Sequence, residues 1–272
     1  MKAGAQGGLR APAVPSEEYD RDYFLHGCMG ADAWRESQGR QIDALYPGMI
    51  QLAGLRADDA VLDVGTGRGE LLRAAIDAGA AEAVGIDYSA AAIDLTRETI
   101  AAAGIGDRAR GIVADARSMP VEDSSYDLVT MLDVVEHLTP PELDETLGEA
   151  RRKLRPGGRI FIHTMPSPLI YEVTYRLQRL IPVWRVRTWP ADPRNEFEHA
   201  MHVNEQRIGA LRRALRRAGF ADVRAWPGAW VYTDFVARER SKRLYHRLAR
   251  IPGLRRFGIA DLFARGVNPG AA

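Results

Sequence analysis

The stretch Val61-Leu-Asp-Val-Gly-Thr-Gly-Arg-Gly-Glu-Leu-Leu72 constrains this chain more than any other. A short, mostly apolar run leads into glycines at 65, 67 and 69, and an alanine-rich segment begins at once. That order predicts a buried strand, a tight turn and a helix. Glycine is needed where a backbone passes close to a ligand, because there is no room for a Cβ and φ is often positive. The free N–H groups at the helix start then face whatever sits in the turn. In doubly wound α/β folds such a unit is a nucleotide-cofactor site, although many sharp strand-to-helix turns bind nothing. Asp63, inside the strand, makes the signal more particular.

A dinucleotide site expects G-x-G-x-x-G. Here the glycines fall at every second position and Asp63 precedes them by two. No G-K-[ST] follows, and Glu70 would repel a phosphate. The D-x-G-x-G-x-G pattern resembles motif I of the class I S-adenosylmethionine methyltransferases. The resemblance implies that Gly65, Thr66 and Gly67 lie under the methionine part of the cofactor. It also implies that Asp63 helps hold the ammonium end.

The rest of the chain fits one domain with added parts. Residues 1–16, rich in Gly, Pro and Ala, are expected as a loose tail. Residues 17–56 read as an N-terminal helical lid, with Tyr19, Tyr23, Phe24 and Trp34 as bulk. Residues 57–164 read as the cofactor-binding core. A strand over Ala83–Tyr88 ends in Asp87, whose carboxylate suits two vicinal ribose hydroxyls, with Tyr88 beside the adenine. Strand Ala109–Ala114 ends in Asp115-Ala116, and the resemblance gives Asp115 the adenine amine. Strand Tyr126–Leu132 ends in Asp133-Val-Val-Glu-His137, with Asp133 also facing the cofactor. A helix and then Lys153-Leu-Arg-Pro-Gly-Gly-Arg-Ile-Phe-Ile162 follow, in wording frequent in the same family. The resemblance therefore covers residues 61–164. It implies a three-layer α/β fold: a mostly parallel seven-stranded sheet with helices on both faces.

Residues 165–205, with Tyr171, Tyr175, Trp184 and Trp189, are expected as a cap inserted over the strand ends after strand five. Residues 206–237 complete the core with a helix and two last strands, 220–226 and 231–237. Residues 238–272 are expected as a basic helix and tail. Within them, 238–256 presents a solvated basic face or touches an anionic membrane surface. One cysteine, Cys28, fits a reducing cytoplasm, and no run of about 18 apolar residues spans a membrane. The net charge of +1 advertises no nucleic-acid partner.

Chemistry is expected where strand four ends. Methyl transfer from a sulfonium to a hydroxyl needs an in-line approach and a base for the departing proton. Three readings stay open. His137 or His202 is the base, with Glu136 orienting an imidazole. Alternatively, Glu136, His137, His199 and His202 hold a divalent cation such as Mg2+. In that case Asp133-x-x-Glu136-His137 is similar to the Glu-x-x-Glu-His of metal-dependent small-RNA 2′-O-methyltransferases. In the third reading these side chains are structural. The expected enzyme is an O-methyltransferase acting on a small-molecule, sugar or lipid-linked glycan acceptor. Its alternatives are an RNA 2′-O-methyltransferase and a non-catalytic cofactor-binding regulator.

Overall fold

Alternation along the strand before the glycine turn decides how the layers pack. In the computed structural model, β1 (Ala60–Val64) is buried at every position. Leu62 and Val64 join one apolar cluster and Val61 the other, on opposite faces of the sheet. A strand covered on both sides needs this near-continuous apolar character. The structure describes residues 9–165, 196–228 and 261–270, with isolated positions between 167 and 192.

The sheet has seven strands in the order β3-β2-β1-β4-β5-β7-β6. The remaining strands are β2 (Glu82–Asp87), β3 (Ala109–Val113), β4 (Tyr126–Leu132), β5 (Leu154–Thr164), β6 (Ala221–Gly228) and β7 (Asp261–Val267). β1 to β5 pair in parallel, and β7 runs antiparallel to both β5 and β6. The doubly wound, mostly parallel sheet expected from the motifs is therefore present.

The α-helices among the described residues are α1 (Ala31–Ser37), α2 (Leu45–Ala53), α3 (Glu70–Asp77), α4 (Ala90–Ala103), α5 (Pro140–Lys153), α6 (Glu196–Met201) and α7 (Ile208–Arg217). Leu143 and Leu147 of α5 and Leu211 and Leu215 of α7 cover one face. Met49 and Ile50 of α2 and Leu71, Leu72 and Ile76 of α3 cover the other. Each fully buried Leu or Ile contributes about 1.5–3 kcal/mol. α5 starts on a capping box, Thr139 with Glu142, and α4 on Ser89, whose hydroxyl accepts the Ala92 N–H.

Two segments differ from expectation. The strand expected at 231–237 lies outside the described residues. The strand that inserts between β5 and β6 is 261–267, in the stretch expected as tail. Its Arg265 and Gly266 break the apolar alternation that marks a strand in sequence. At the other end, residues 9–15 of the expected loose tail are tied down. Arg117 donates to the Arg10 carbonyl, Ala13 N–H to Glu142 and Tyr88 hydroxyl to the Val14 carbonyl. Val14, Tyr19, Phe24 and Trp34 then pack with Ala92 and Leu95 of α4.

Candidate active site

Four consecutive strands end on one cavity of about 480 Å3. In sheet order their carboxyl ends carry Asp115 after β3, Asp87 on β2, the Gly65–Gly69 turn after β1 and Asp133 after β4. Strands about 4.8 Å apart make this a row roughly 15 Å long. Gly65 sits at φ +74°, and a Cβ there would lie 2.4 Å from Val134 Cγ2. Only glycine lets the turn pass this close to the end of β4.

Asp87 is buried, accepting the Gly67 N–H at 3.1 Å and the Ser89 N–H at 2.9 Å. Burial pushes its carboxyl up to about 6. Asp63 is buried beneath the turn and accepts the Thr130 hydroxyl at 2.7 Å; burial lifts it to about 7. At Asp115, burial opposes the charge, but Arg117 hydrogen bonds win and hold the carboxyl below its usual range. Thr66, Tyr88 and Ala116 also line the cavity.

At the β4 end the side chains come from separate parts of the chain. The backbone from Val135 to His137 makes a single 3-10 turn. Its Glu136 is buried and accepts the Thr164 hydroxyl at 2.8 Å. Burial, and then the Asp133 charge, raise that carboxyl to about 8, so it carries a proton at neutral pH. His137 Nδ1 lies 2.8 Å from the Tyr19 hydroxyl and its ring packs edge-on to His202 at 4.9 Å. Burial, with His202 adding to it, drops the imidazole to about 3, so His137 is neutral. Glu136, His137 and His202 offer ligand atoms within 4.8 Å of one another.

Of the expected metal set, His199 stands apart: its side chain is 48% exposed and faces Asp192 at 3.5 Å. His163, a candidate base in position, is wholly buried between Asp133 and Asp261. Burial opposes its charge, but the two carboxylates lift the imidazole to about 10, so it has no lone pair to offer. The partner that holds His137 is Tyr19 from the N-terminal segment, while the Glu136 carboxyl is turned to Thr164. Nothing local in the sequence marks Tyr19 for this, because the pairing spans 118 positions. Arg68, an x position of the D-x-G-x-G-x-G pattern, is also structural. It donates to the Phe24 and Met29 carbonyls and the Tyr46 hydroxyl, and pairs with Glu70 at 2.7 Å. The aromatic residues expected in the cap, and the basic segment 238–256, fall outside the described residues.

Residues 61–158 match a family model described as a methyltransferase domain. The chain is 32% identical over 140 residues to a demethylmenaquinone methyltransferase of Thermus thermophilus, covering 49% of this chain and 61% of that protein. It is 34% identical over 124 residues to the 27-O-demethylrifamycin SV methyltransferase of Amycolatopsis mediterranei, covering 43% and 45%. The chain thus spans about half the length of the curated relatives it matches. Among solved structures, one from Haloferax volcanii, a complex between the Trm112 methyltransferase activator and a methyltransferase, covers 95% of this chain and 100% of the other. The TM-score is 0.62 at 20% identity. A Haemonchus contortus phosphoethanolamine N-methyltransferase 2 with S-adenosyl-L-methionine covers 93% and 57%, with a TM-score of 0.60 at 16% identity. At those identities the likeness is one of fold.

Proposed function

From the premise that residues 61–158 form a methyltransferase domain of the class I, S-adenosylmethionine-dependent kind, we propose that this chain methylates a hydroxyl of a small, largely apolar acceptor. The observation that carries this is the row of strand ends. In this reading Asp115 takes the adenine amine, Asp87 the ribose hydroxyls, and the Gly65 turn with Asp63 the methionine end, which leaves Asp133 for the methyl end; the support is that all of them line one cavity. Bound there, the cofactor supplies an electrophilic methyl group on a sulfonium.

The chain's own residues orient the acceptor and take its proton. The acceptor oxygen forms the new C–O bond as the C–S bond breaks, and the bonding pair stays on sulfur. The hydroxyl proton passes to the Tyr19 oxygen while Tyr19 gives its own to His137 Nδ1. Burial and His202 keep the resting His137 ring neutral and able to accept that proton, and its bond to the Met201 backbone partly offsets their penalty on the protonated form. Leu132, Met165 and Met201 line the cavity with carbon. Its two arginines are taken up, Arg68 as above and Arg117 by Asp115 and Glu142. An anionic acceptor finds no open cation among the described residues. That favours an apolar hydroxylated molecule over the glycan expected from the sequence, and both relatives named above act on compounds of other kinds than glycans.

Calorimetry tests the reading. Wild type should bind S-adenosylmethionine and S-adenosylhomocysteine, and Asp87→Asn should bind both at least tenfold more weakly, having exchanged a charged acceptor oxygen for an N–H donor. Absence of heat with the wild type at millimolar ligand defeats the proposal.

The close approach of Glu136, His137 and His202 favours a second reading, metal-assisted transfer. Two imidazoles and a carboxylate fit a transition ion such as Zn2+ or Mn2+ better than Mg2+, which prefers oxygen. Such an ion would lower the pKa of the acceptor hydroxyl. Turnover that survives exhaustive chelation rejects this reading, and with it the RNA-directed alternative.

A further inference from the structure

His163 lies near the carboxyl end of β5, beside the central strand β4, and is fully buried. It grips Asp133 twice. Its carbonyl accepts the Asp133 N–H at 3.0 Å, and its Nδ1 lies 2.9 Å from Asp133 Oδ1, off the line of a straight hydrogen bond. Its Nε2 lies 3.4 Å from Oδ1 of Asp261, the first residue of β7 and itself buried. Phe263 closes the ring's flank at 5.0 Å. Asp133 has φ +53°, a region that costs a non-glycine residue free energy unless its surroundings hold it there. Its side chain is 34% exposed, towards the cavity.

Two carboxyl groups therefore flank the His163 ring at this corner: Asp133 after β4 and Asp261 from β7. Opposite charges this close favour the charged form of the ring between them. Among the described residues, both arginines on the cavity wall are engaged elsewhere. We infer that His163 is a positioning residue, a fully buried ring clamped between Asp133 and Asp261 that holds the Asp133 side chain aimed at the methyl end of the cavity. The inference rests on the proposed function for what occupies that end. A sulfonium carries one positive charge and the thioether product carries none. A carboxylate side chain held at that end therefore favours the methyl donor over the demethylated product, and His163 sets that preference by holding Asp133 in place.

The test needs no acceptor. The affinities for S-adenosylmethionine and S-adenosylhomocysteine are measured by calorimetry for wild type, His163→Asn, Asp133→Asn and the double variant. The preference for the sulfonium should fall about tenfold in each single variant and no further in the double. An undiminished preference in His163→Asn, or losses that add, overturns the inference. Asp261→Asn, which leaves His163 in place, should lose part of the preference if His163→Asn does not fold. Separately, NMR of histidine-labelled wild type should show the His163 ring protonated on both nitrogens at pH 8; a single proton overturns the inference. A wild type that binds neither compound defeats the proposed function instead, and the His163 signal is readable in that protein too.

Discussion

At the scale of single residues, the site is a set of groups pushed from their ordinary charge states by burial. Asp87 is the plainest case. With its carboxyl raised to about 6, it is ionised at pH 7.5 and increasingly protonated below pH 6. A protonated carboxyl loses acceptor capacity for the ribose diol. Affinity for S-adenosylhomocysteine should therefore weaken as pH falls from 7 to 5, and calorimetry on Asp87→Asn should show weaker binding with a shallower pH dependence, since Asp63 still titrates near 7. His137 differs in kind, since no part of the proposed cofactor position rests on it. His137→Ala should bind both cofactor forms within about threefold of wild type. Its methyl transfer to any hydroxylated acceptor that wild type accepts should drop by about 10²–10⁴-fold. Retained turnover in a quenched-flow assay would remove the imidazole from the chemistry.

Among elements, the one most dependent on a single side chain is the N-terminal segment. Arg68 leaves the glycine turn and holds the Phe24 and Met29 carbonyls from beneath, with Glu70 as its buried counter-ion. Those contacts join the N-terminal segment to the glycine turn, so the two order together. Arg68→Met leaves Glu70 buried without its partner and two carbonyls without donors. A loss of about 3–5 kcal/mol is expected in urea unfolding. Hydrogen exchange should quicken first in residues 19–30, ahead of the sheet. Equal protection in that segment would show that the apolar contacts of Tyr19, Phe24 and Trp34 with α4 hold it unaided.

For the molecule as a whole, several titrations point the same way. His163 sits at about 10 in the fold and ordinarily near 6.5, so its contribution is complete below pH 6.5 and is lost as pH rises through 10. Asp63 and Asp87, raised to about 7 and about 6, also favour the fold at low pH and oppose it once ionised. His137, lowered to about 3, has the opposite sign: its contribution is present above pH 6.5 and fades as pH falls. Between pH 7 and 9.5, where His137 no longer contributes a slope, the unliganded protein should become steadily less stable. Urea midpoints across that range measure it, and His163→Asn should flatten the trend. A midpoint rising with pH would contradict the charge states assigned to this corner.

Local order along the chain was enough to determine the five parallel strands and the carboxylates that their ends bring to the cavity. Val61–Val64, the glycines and the run from Ala83 to Asp87 each carry their role within a few residues, because strand period, turn geometry and strand-end placement are short-range properties. Asp63, Asp87 and Asp115 were legible for that reason. Only the tertiary structure could bring Tyr19 to His137, His163 to Asp261 or residues 261–267 between β5 and β6. These pairings join positions about a hundred apart, and no local pattern records them. The charge states were equally out of reach, since Glu136 and His163 owe theirs to neighbours that folding alone assembles in a space closed to water.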